Sequence, residues 1–486
     1  MKQYLELNKS FINGKWVEGL SSNSYNILNP YDDSVITTVK LATKEQTQEA
    51  FEAAQQAQEK WAKSSVEERK AVIRKALEYF KENKEAILET MVVETGSTYV
   101  KAEMEYQITL DELVEAEKMT EEIYTYREVP SPIEGKTNRI YRLPLGVISS
   151  ISPFNFPLFL SMRTIAPAIA LGNAVVHKPD LKTGLTGGSI IAAAFEYAGL
   201  PKGVLNVILT NSREIGDEML TNPHSKMVSF TGSTEAGKHV GAVAGGALKR
   251  VALELGGNSP FVVLSDADVD RAVDAAIFGK YLHQGQICMI VNRFIVHKDL
   301  YDEFVQKFVE RAKNLPYGDP RNRKNVIGPI IDQRQLEKAL KVIEEAKAEG
   351  IPLALEGKRV GNILTPTVFV DVDNDSKLAQ TEVFAPIAIM IKAETDEQAI
   401  ELANKTEYGL SSAIFTSDLE KGTELALEID SGMTHVNDQT VNLQSNTPFG
   451  GTKASGLGRF GNPWIVEEFT VTKWVSVQHQ YRKFPF

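Results

Sequence analysis

The sequence predicts an α/β protein in which two series of alternating strands and helices follow one another along the chain. Between Gly146 and Gly256, short runs rich in β-branched residues alternate with helical windows, the pattern of parallel strands joined by helices. A second series of the same kind runs from Ser259 to about Phe449. The glycine pair 256–257 marks the boundary, and 486 residues are enough for two or three domains of about 100–200 residues each.

The strands of both series can be located from their apolar and β-branched runs. In the first series the expected strands are VISSIS, NAVVHK, VLNVIL, KMVSF and VALEL. In the second series they are NRFIVH, PTVFV, IAIMIK, SSAIFT and MTHVN.

The first third of the chain is predicted to be helical, with capping boxes that begin helices at 43–46 and 65–68. A long polar helix is expected from about residue 98 to 126. The alternating segment 137–143 is typical of an extended arm. A last β-rich run, 468–477, follows a glycine-rich segment and is expected to pair outside its own domain.

Composition excludes several classes of protein. A net charge of −11 and a pI near 5.4 argue against nucleic acid or an anionic membrane as partner. The most apolar long stretch, 164–176, is too short to span a bilayer, and the N-terminus lacks the pattern of a signal peptide. A single cysteine permits no intrachain disulfide. These features are consistent with a cytoplasmic protein and decide little else.

The single cysteine, Cys288, is the first candidate for chemistry. Most free cysteines are small buried hydrophobes, but the preceding segment YLHQGQ is polar and contains a glycine. A thiol with a pKa of about 8.5 is mostly protonated at neutral pH. As a nucleophile, Cys288 would therefore need a positive local field or a nearby base.

Two polar residues could assist that thiol. Glu254, in LELGG, is either an exposed strand residue or a carboxylate in a tight apolar setting, where a raised pKa suits a general base. Asn155, in PFNFP, is either a turn residue or a side-chain amide that donates to an oxyanion. Pro157 is well placed as the first residue of the following helix.

A third segment has the features of an anion site. Phe230–Gly237, FTGSTEAG, follows a strand and opens a helix, where free N–H groups and the helix dipole face a ligand. It matches neither GxGxxG nor a Walker loop. Lys178 ends another predicted strand, either as a solvated terminus or as a contact to a ribose at the carboxyl edge of the sheet.

These segments, in this order and together with EVFAP and PFGGTKASGLGR, resemble the aldehyde dehydrogenase superfamily over essentially the whole chain. The resemblance implies a Rossmann-like cofactor domain (1–125 and 145–256) and an α/β catalytic domain (257–453). It also implies a β oligomerisation arm and tail (126–144 and 468–486) that assembles a homodimer or homotetramer.

The resemblance also implies roles for individual residues. Cys288 matches the nucleophile, Glu254 the general base and Asn155 the oxyanion-hole amide, with NAD or NADP as cofactor and no metal ion. The positions that match cofactor contacts are Ile151, Ser152, Pro153, Phe154, Lys178, Leu181, Phe230, Gly232, Ser233, Gly237, Leu255, Gly256, Glu382 and Phe384.

Within the superfamily, HQGQICMIVNR, HVNDQTVN and GRFGNPWIVEEFTVTKW resemble bacterial benzaldehyde and vanillin dehydrogenases. An aromatic aldehyde is therefore expected, in an apolar pocket formed by Phe156, Phe159, Met162 and Met289, although such residues are more often core. The alternatives are an aliphatic aldehyde or a semialdehyde as substrate, CoA-dependent acylation, a thiol esterase, or a protein without catalysis.

The sequence departs from the superfamily at Leu181. Many NAD-preferring members have a glutamate there, three residues after the lysine of HKP. Without it, a 2′-phosphate meets no repulsion, and both NAD and NADP are expected as cofactors.

Overall fold

Two mixed sheets, of eight and seven strands, form the cores of the structure. The computed structural model describes residues 1–486. The strands are β1 Ser10–Ile12, β2 Lys15–Val17, β3 Ser24–Leu28, β4 Val35–Lys40, β5 Tyr126–Val129, β6 Lys136–Pro144, β7 Val147–Ile151, β8 Ala174–Lys178, β9 Leu205–Val207, β10 Ser225–Thr231, β11 Arg250–Glu254, β12 Ser259–Val263, β13 Val291–His297, β14 Leu353–Leu355, β15 Arg359–Val360, β16 Ile363–Leu364, β17 Thr367–Phe369, β18 Ile387–Ala393, β19 Tyr408–Gly409, β20 Ser411–Phe415, β21 Met433–Val436, β22 Thr452–Lys453, β23 Gly456–Leu457 and β24 Thr470–Gln478.

Helices cover the sheets, and none of them is both long and apolar enough to cross a membrane. The α-helices are α1 Lys2–Leu5, α2 Lys44–Trp61, α3 Val66–Glu82, α4 Lys84–Thr95, α5 Tyr99–Met119, α6 Pro157–Ala170, α7 Ile190–Tyr197, α8 Ser212–Ile215, α9 Glu218–Thr221, α10 Thr234–Gly246, α11 Val269–Tyr281, α12 Lys298–Lys313, α13 Gln333–Ala348, α14 Lys377–Gln380, α15 Asp396–Asn404, α16 Leu419–Glu428 and α17 Trp464–Phe469. Short 3₁₀ turns stand at Leu181–Thr183 and Leu282–Gly285, and a π-helical turn spans Leu185–Ser189.

The first sheet has the strand order β2-β1-β9-β8-β7-β10-β11-β23. Its five central strands, β7 to β11, are parallel, and their spatial order is third, second, first, fourth, fifth. This is the order of a dinucleotide-binding sheet, in which the connections reverse direction between the first and fourth strands. The reversal lies between β7 and β10, and a ligand is expected at their carboxyl ends.

The second sheet has the order β14-β17-β18-β13-β12-β20-β21 and is parallel except for β14. The strands predicted for both series all occur. The chain passes from the first sheet to the second between Glu254 and Ser259, and β23 later returns to the first sheet beside β11. The α/β architecture predicted from the alternating pattern is confirmed.

The prediction of a helical first third was wrong for residues 10–40, which contain β1 to β4. Asn13 and Gly14 both have positive φ, 49° and 71°, between the paired residues Ile12 and Lys15. Such a two-residue Asn-Gly turn matches the twist of a hairpin. The two capping boxes, at Thr43 and Ser65, are confirmed.

The long polar helix is shorter than predicted, since α5 ends at Met119 and β5 begins at Tyr126. Thr120 bonds its hydroxyl back to the carbonyl of Glu117, and Tyr124 has a φ of 61°, so the backbone turns between the two elements. Next, β6 pairs along its whole length with β24, antiparallel, while β5 pairs with its other edge. The segment 137–143 and the tail therefore form one three-stranded sheet.

Candidate active site

The first sheet contributes the carboxyl ends of two neighbouring strands to the site. β7 and β10 pair in parallel, with Ile151 opposite Phe230. The segment Ser152–Asn155 leaves the end of β7, and Gly232 and Ser233 leave the end of β10. Both loops therefore emerge at the point where the connections of the sheet reverse direction.

The second sheet contributes its amino edge. Gly256 and Gly257 precede β12, Cys288 precedes β13, and Glu382 precedes β18. A Cβ on Gly257 would lie 2.4 Å from the Cys288 carbonyl oxygen, and one on Gly256 would lie 2.4 Å from Glu382 Oε2. The two glycines let three loops approach one another closely, as their position after Glu254 indicated.

A cavity of about 270 Å³ lies between these two edges. It is lined by Pro153, Phe154, Asn155, Thr231, Gly232, Ser233, Leu255, Gly256, Cys288, Gln335, Lys338, Ala339, Val342, Glu382, Val383, Phe384 and Ala385. Ten of these residues were predicted as site residues. The four on α13 were not, because an amphipathic helix without a motif gives no signal that it faces a ligand.

The other predicted cofactor positions do not line this cavity; they are Ile151, Ser152, Lys178, Leu181, Phe230 and Gly237. Gly237 and Phe230 support the wall, since a Cβ on Gly237 would lie 2.1 Å from Leu255 Cδ2 and one on Gly232 would lie 2.5 Å from Phe230 Cζ. Leu181 is buried in the hydrophobic core. A direct cofactor contact for these six stays a prediction.

The predicted helix start at Pro157 is confirmed, and it fixes the orientation of Asn155. Asn155 is buried, and its Oδ1 accepts a hydrogen bond from the N–H of Phe156 at 3.0 Å. The carboxamide oxygen therefore accepts from the backbone at the start of α6. The NH2 group of Asn155 remains available to donate to an oxygen in the cavity that it shares with Cys288.

Glu254 ends β11 with only 2 % of its surface exposed, so the alternative of a solvated strand residue was wrong. Neither carboxylate oxygen has a hydrogen-bond partner. Burial raises the pKa of Glu254 to about 8, opposed by the charges of Arg163 and Arg459. A carboxyl group that titrates near neutral pH and has both oxygens free is suited to accept a proton.

Cys288 is partly buried and packs against the hydrophobic core. Burial, together with the negative charges of Glu254 and Glu382, raises the pKa of its thiol to about 12, and Arg163 opposes this shift. The thiol is therefore protonated at neutral pH and would need a base to act as a nucleophile. The buried carboxyl group of Glu254, whose charge influences the thiol, is the candidate for that base.

Arg163 is a feature of the site that the sequence analysis missed. It is buried on α6, and its guanidinium lies 4.7 Å from the ring of Phe449 and 4.2 Å from that of Phe460. One nitrogen donates to Thr231 Oγ1 at 3.2 Å, while Nε and Nη1 have no partner. A single charged residue in the otherwise apolar run PLFLSMRTIAPAIA was the available signal, since arginine is seldom buried unless paired.

Glu382 is a second carboxyl group of the site with a raised pKa. Burial raises its pKa to about 7, partly offset by the hydrogen bond that Oε1 accepts from the N–H of Gly257 at 3.1 Å. Beside it, the rings of Phe154 and Phe384 meet edge to face, with centroids 6.1 Å apart. The cavity thus has an aromatic wall next to a carboxylate.

The four residues predicted to line the substrate pocket are all buried: Phe156, Phe159, Met162 and Met289. They belong to the largest hydrophobic core and do not line the cavity described above. Two of them, Phe159 and Met162, lie on α6, which buries every residue from Pro157 to Ala170, so their side chains face the core. Contact of these residues with a substrate stays a prediction.

The sequence matches a known protein family and several of its members. The model of the aldehyde dehydrogenase family matches residues 16–475. AldY of Bacillus subtilis, described as a candidate aldehyde dehydrogenase, is 67 % identical over 99 % of both chains. The benzaldehyde dehydrogenase YfmT of the same organism is 45 % identical over 100 % of both chains. The vanillin dehydrogenase of Corynebacterium glutamicum is 46 % identical over 98 % of both.

A solved structure has the same fold. The crystal structure of betaine aldehyde dehydrogenase from Staphylococcus aureus, in complex with NAD+, superimposes with a TM-score of 0.95 at 32 % sequence identity. The match covers 99 % of this chain and 97 % of that one.

Proposed function

The chain belongs to the aldehyde dehydrogenase family, and from this premise we propose that it oxidises an aromatic aldehyde to the carboxylic acid with NAD or NADP. The observation that supports this most directly is the meeting of Cys288 and Asn155 in one cavity, with the free carboxyl group of Glu254 acting on the thiol. The same cavity is lined by the loops at the reversal point of the first sheet.

The residues present fit a dinucleotide. Ser233 caps α10 by accepting the N–H of Ala236 at 3.3 Å, which leaves the N–H groups of Thr234 and Glu235 without an intrahelical acceptor. These groups would hold the phosphates, and the Glu382 carboxylate would accept from ribose hydroxyls. When bound, the cofactor supplies the hydride acceptor.

The chain's own residues account for the remaining steps. Glu254 accepts the proton of the Cys288 thiol, and the sulfur adds to the aldehyde carbon. The Asn155 amide donates to the developing oxyanion, a contribution of about 2.7–4 kcal/mol for one such donor. Once the adduct is oxidised to a thioester on Cys288, Glu254 releases the first proton to solvent and then accepts a proton from the water that hydrolyses the thioester.

Support for an aromatic substrate comes from the benzaldehyde and vanillin dehydrogenases among the relatives. The test is a spectrophotometric screen of benzaldehyde, vanillin, an aliphatic aldehyde and succinic semialdehyde, each with NAD and NADP and without CoA. We expect the highest kcat/KM for an aromatic aldehyde and release of free acid. A higher kcat/KM for an aliphatic aldehyde or the semialdehyde contradicts the substrate class, and a need for CoA contradicts hydrolysis.

We also propose use of both cofactors, because Leu181 replaces the glutamate of many NAD-preferring members, whose carboxylate would repel a 2′-phosphate. Lys182 lies next to it, although its ammonium is shared with Asp180 at 3.2 Å and Asp332 at 3.8 Å. The Leu181→Glu variant should raise the ratio of kcat/KM for NAD over NADP by about tenfold, the value of one close charge repulsion of about 1.4 kcal/mol. Leu181→Gln, equal in size but neutral, is the control, and an equal shift in both variants would remove the electrostatic explanation.

Assembly into a homodimer or homotetramer is likewise proposed. The sheet formed by β5, β6 and β24 supports it, since Trp474 on β24 is 65 % exposed. Aromatic side chains are enriched at contacts between subunits, and Trp474 would be buried if a second subunit packed on this sheet.

A further inference from the structure

Two charged residues on α5, Lys101 and Glu105, are completely buried one helical turn apart and form an ion pair. Neither takes part in the steps described above. A buried ion pair is weak evidence for stability, because desolvation offsets the attraction between its charges. The contacts that each partner makes beyond the pair are therefore the informative ones.

The Glu105 carboxylate caps α6, the helix that follows Asn155. Its Oε1 accepts hydrogen bonds from the N–H groups of Leu158, at 2.8 Å, and Phe159, at 3.2 Å. The residue at the N-cap, Phe156, provides no side-chain acceptor, and Pro157 has no N–H. Glu105 thus satisfies the free donors in the first turn from a different helix, and its charge complements the helix dipole.

The position of that first turn determines where the Asn155 amide points. The N–H of Phe156 donates to Asn155 Oδ1 at 3.0 Å, while its carbonyl accepts the first intrahelical bond, from Leu160 at 2.9 Å. A shift of the first turn would therefore move the carboxamide of Asn155 as well. Displacements of about 1 Å at a reacting group can cost about 10²-fold in rate.

Lys101 connects the same helix start to the loop of the nucleophile. Its Nζ lies 4.3 Å from the centre of the Phe156 ring, and that ring meets His283 edge to face at 6.2 Å. His283 and Gln284 have φ values of 50° and 57°, five and four positions before Cys288. Non-glycine residues in this conformation cost about 1–3 kcal/mol each and persist only where their surroundings hold them.

Further contacts hold this loop from the segment just before α5. Gln284 Nε2 donates to the carbonyl of Gly96 at 3.1 Å, and the Ser97 hydroxyl lies 3.5 Å from His283 Nδ1. The chain from residue 96 to 105 thus touches both the start of α6 and the loop before Cys288.

We propose that Lys101 and Glu105 are positioning residues. They fix the position of the oxyanion donor Asn155 relative to the nucleophile Cys288. The assignment deepens the proposed function, on which it rests. Glu105 acts through the N-terminus of α6, and Lys101 acts through the rings of Phe156 and His283.

The test compares two double variants without buried charges. Lys101→Met/Glu105→Gln keeps an oxygen that can accept the N–H groups of α6, and Lys101→Met/Glu105→Leu removes it at nearly the same side-chain size. We expect kcat of the leucine variant to be at least about tenfold lower than that of the glutamine variant. KM for the cofactor should be unchanged within about twofold. Equal kcat values would overturn the proposal.

A double-mutant cycle separates positioning from general destabilisation. In the Asn155→Ala background, the difference between the two double variants should disappear, because the donor that they displace is gone. The same loss in both backgrounds would overturn the proposal. If the leucine variant does not fold, Glu105→Asp replaces it; this change keeps both charges and withdraws the acceptor by one methylene, and kcat should again fall only where Asn155 is present.

Hydrogen exchange decides the inference independently of the reaction. Mass spectrometry of the peptide 153–163 should show faster exchange at Leu158 and Phe159 in the leucine variant than in the glutamine variant. Equal exchange contradicts the cap. If the unmodified enzyme oxidises no aldehyde, the proposed function fails, and the exchange result still supports or overturns the contact between α5 and α6.

Discussion

Replacing Cys288 by alanine should lower aldehyde oxidation by about 10⁴-fold or more, the scale of losing a covalent nucleophile. The reason is that no other thiol exists in the chain, so no neighbouring sulfur can substitute for it. Cofactor binding, measured by quenching of protein fluorescence, should be retained within about threefold, because the residues proposed to hold the nucleotide lie on other loops.

The single cysteine also provides an internal control. Thiol titration of the denatured protein should fall from one group per chain to none in Cys288→Ala. The midpoint of thermal unfolding should stay close to that of the unmodified protein, since the change removes one partly buried atom. Aldehyde turnover that persists in a variant with no titratable thiol would exclude Cys288 as the nucleophile.

Replacing Glu254 by glutamine should slow hydrolysis of the thioester by about 10²–10⁴-fold, the usual contribution of a general base. Thioester formation should slow as well, because the thiol loses the same base, but hydrolysis should become the slower step. Acyl-enzyme should then accumulate and be visible by mass spectrometry as a mass increase on the peptide that contains Cys288. The exposed glutamate Glu424, on α16, gives the matched control, because Glu424→Gln makes the same chemical change far from the cavity.

The pH dependence of hydrolysis gives a second test of Glu254. The base is active when deprotonated, and its pKa is raised by burial to about 8. The rate should therefore rise about tenfold per pH unit below 8 and level off above it. Glu254→Gln should lose this rising limb. A limb of the same midpoint in the glutamine variant would assign the titration to another group.

Much of this architecture follows from local signals in the sequence. Runs such as VISSIS and NRFIVH are β-rich and bounded by turn residues, so each strand could be located without knowledge of its neighbours. The glycines after Glu254 and the proline after Asn155 have local conformational meaning. These local signals were enough to predict that Cys288 and Asn155 belong to one site and that Glu254 influences the thiol.

The remaining features depend on contacts between distant parts of the chain. The burial of Met162 and Phe159 follows from α6 being covered on every side, which periodicity within the helix cannot reveal. The field around Cys288 depends on two carboxylates and one guanidinium that three separate elements bring together. Such sums of opposing charges are set by burial and distance, and neither can be obtained from the spacing of motifs.

Because β23 returns to the first sheet from late in the chain, one edge of β11 stays unpaired during much of synthesis. Glu254 pairs with Gly456, and Leu253 pairs with Leu457, so the strand that ends in Glu254 has an open edge until residue 457 has been translated. The same holds for β6, whose partner β24 follows β23 in the chain. Unpaired edges are sites of aggregation during folding. Nascent chains that stop before residue 456 therefore expose two unpaired strand edges to chaperones.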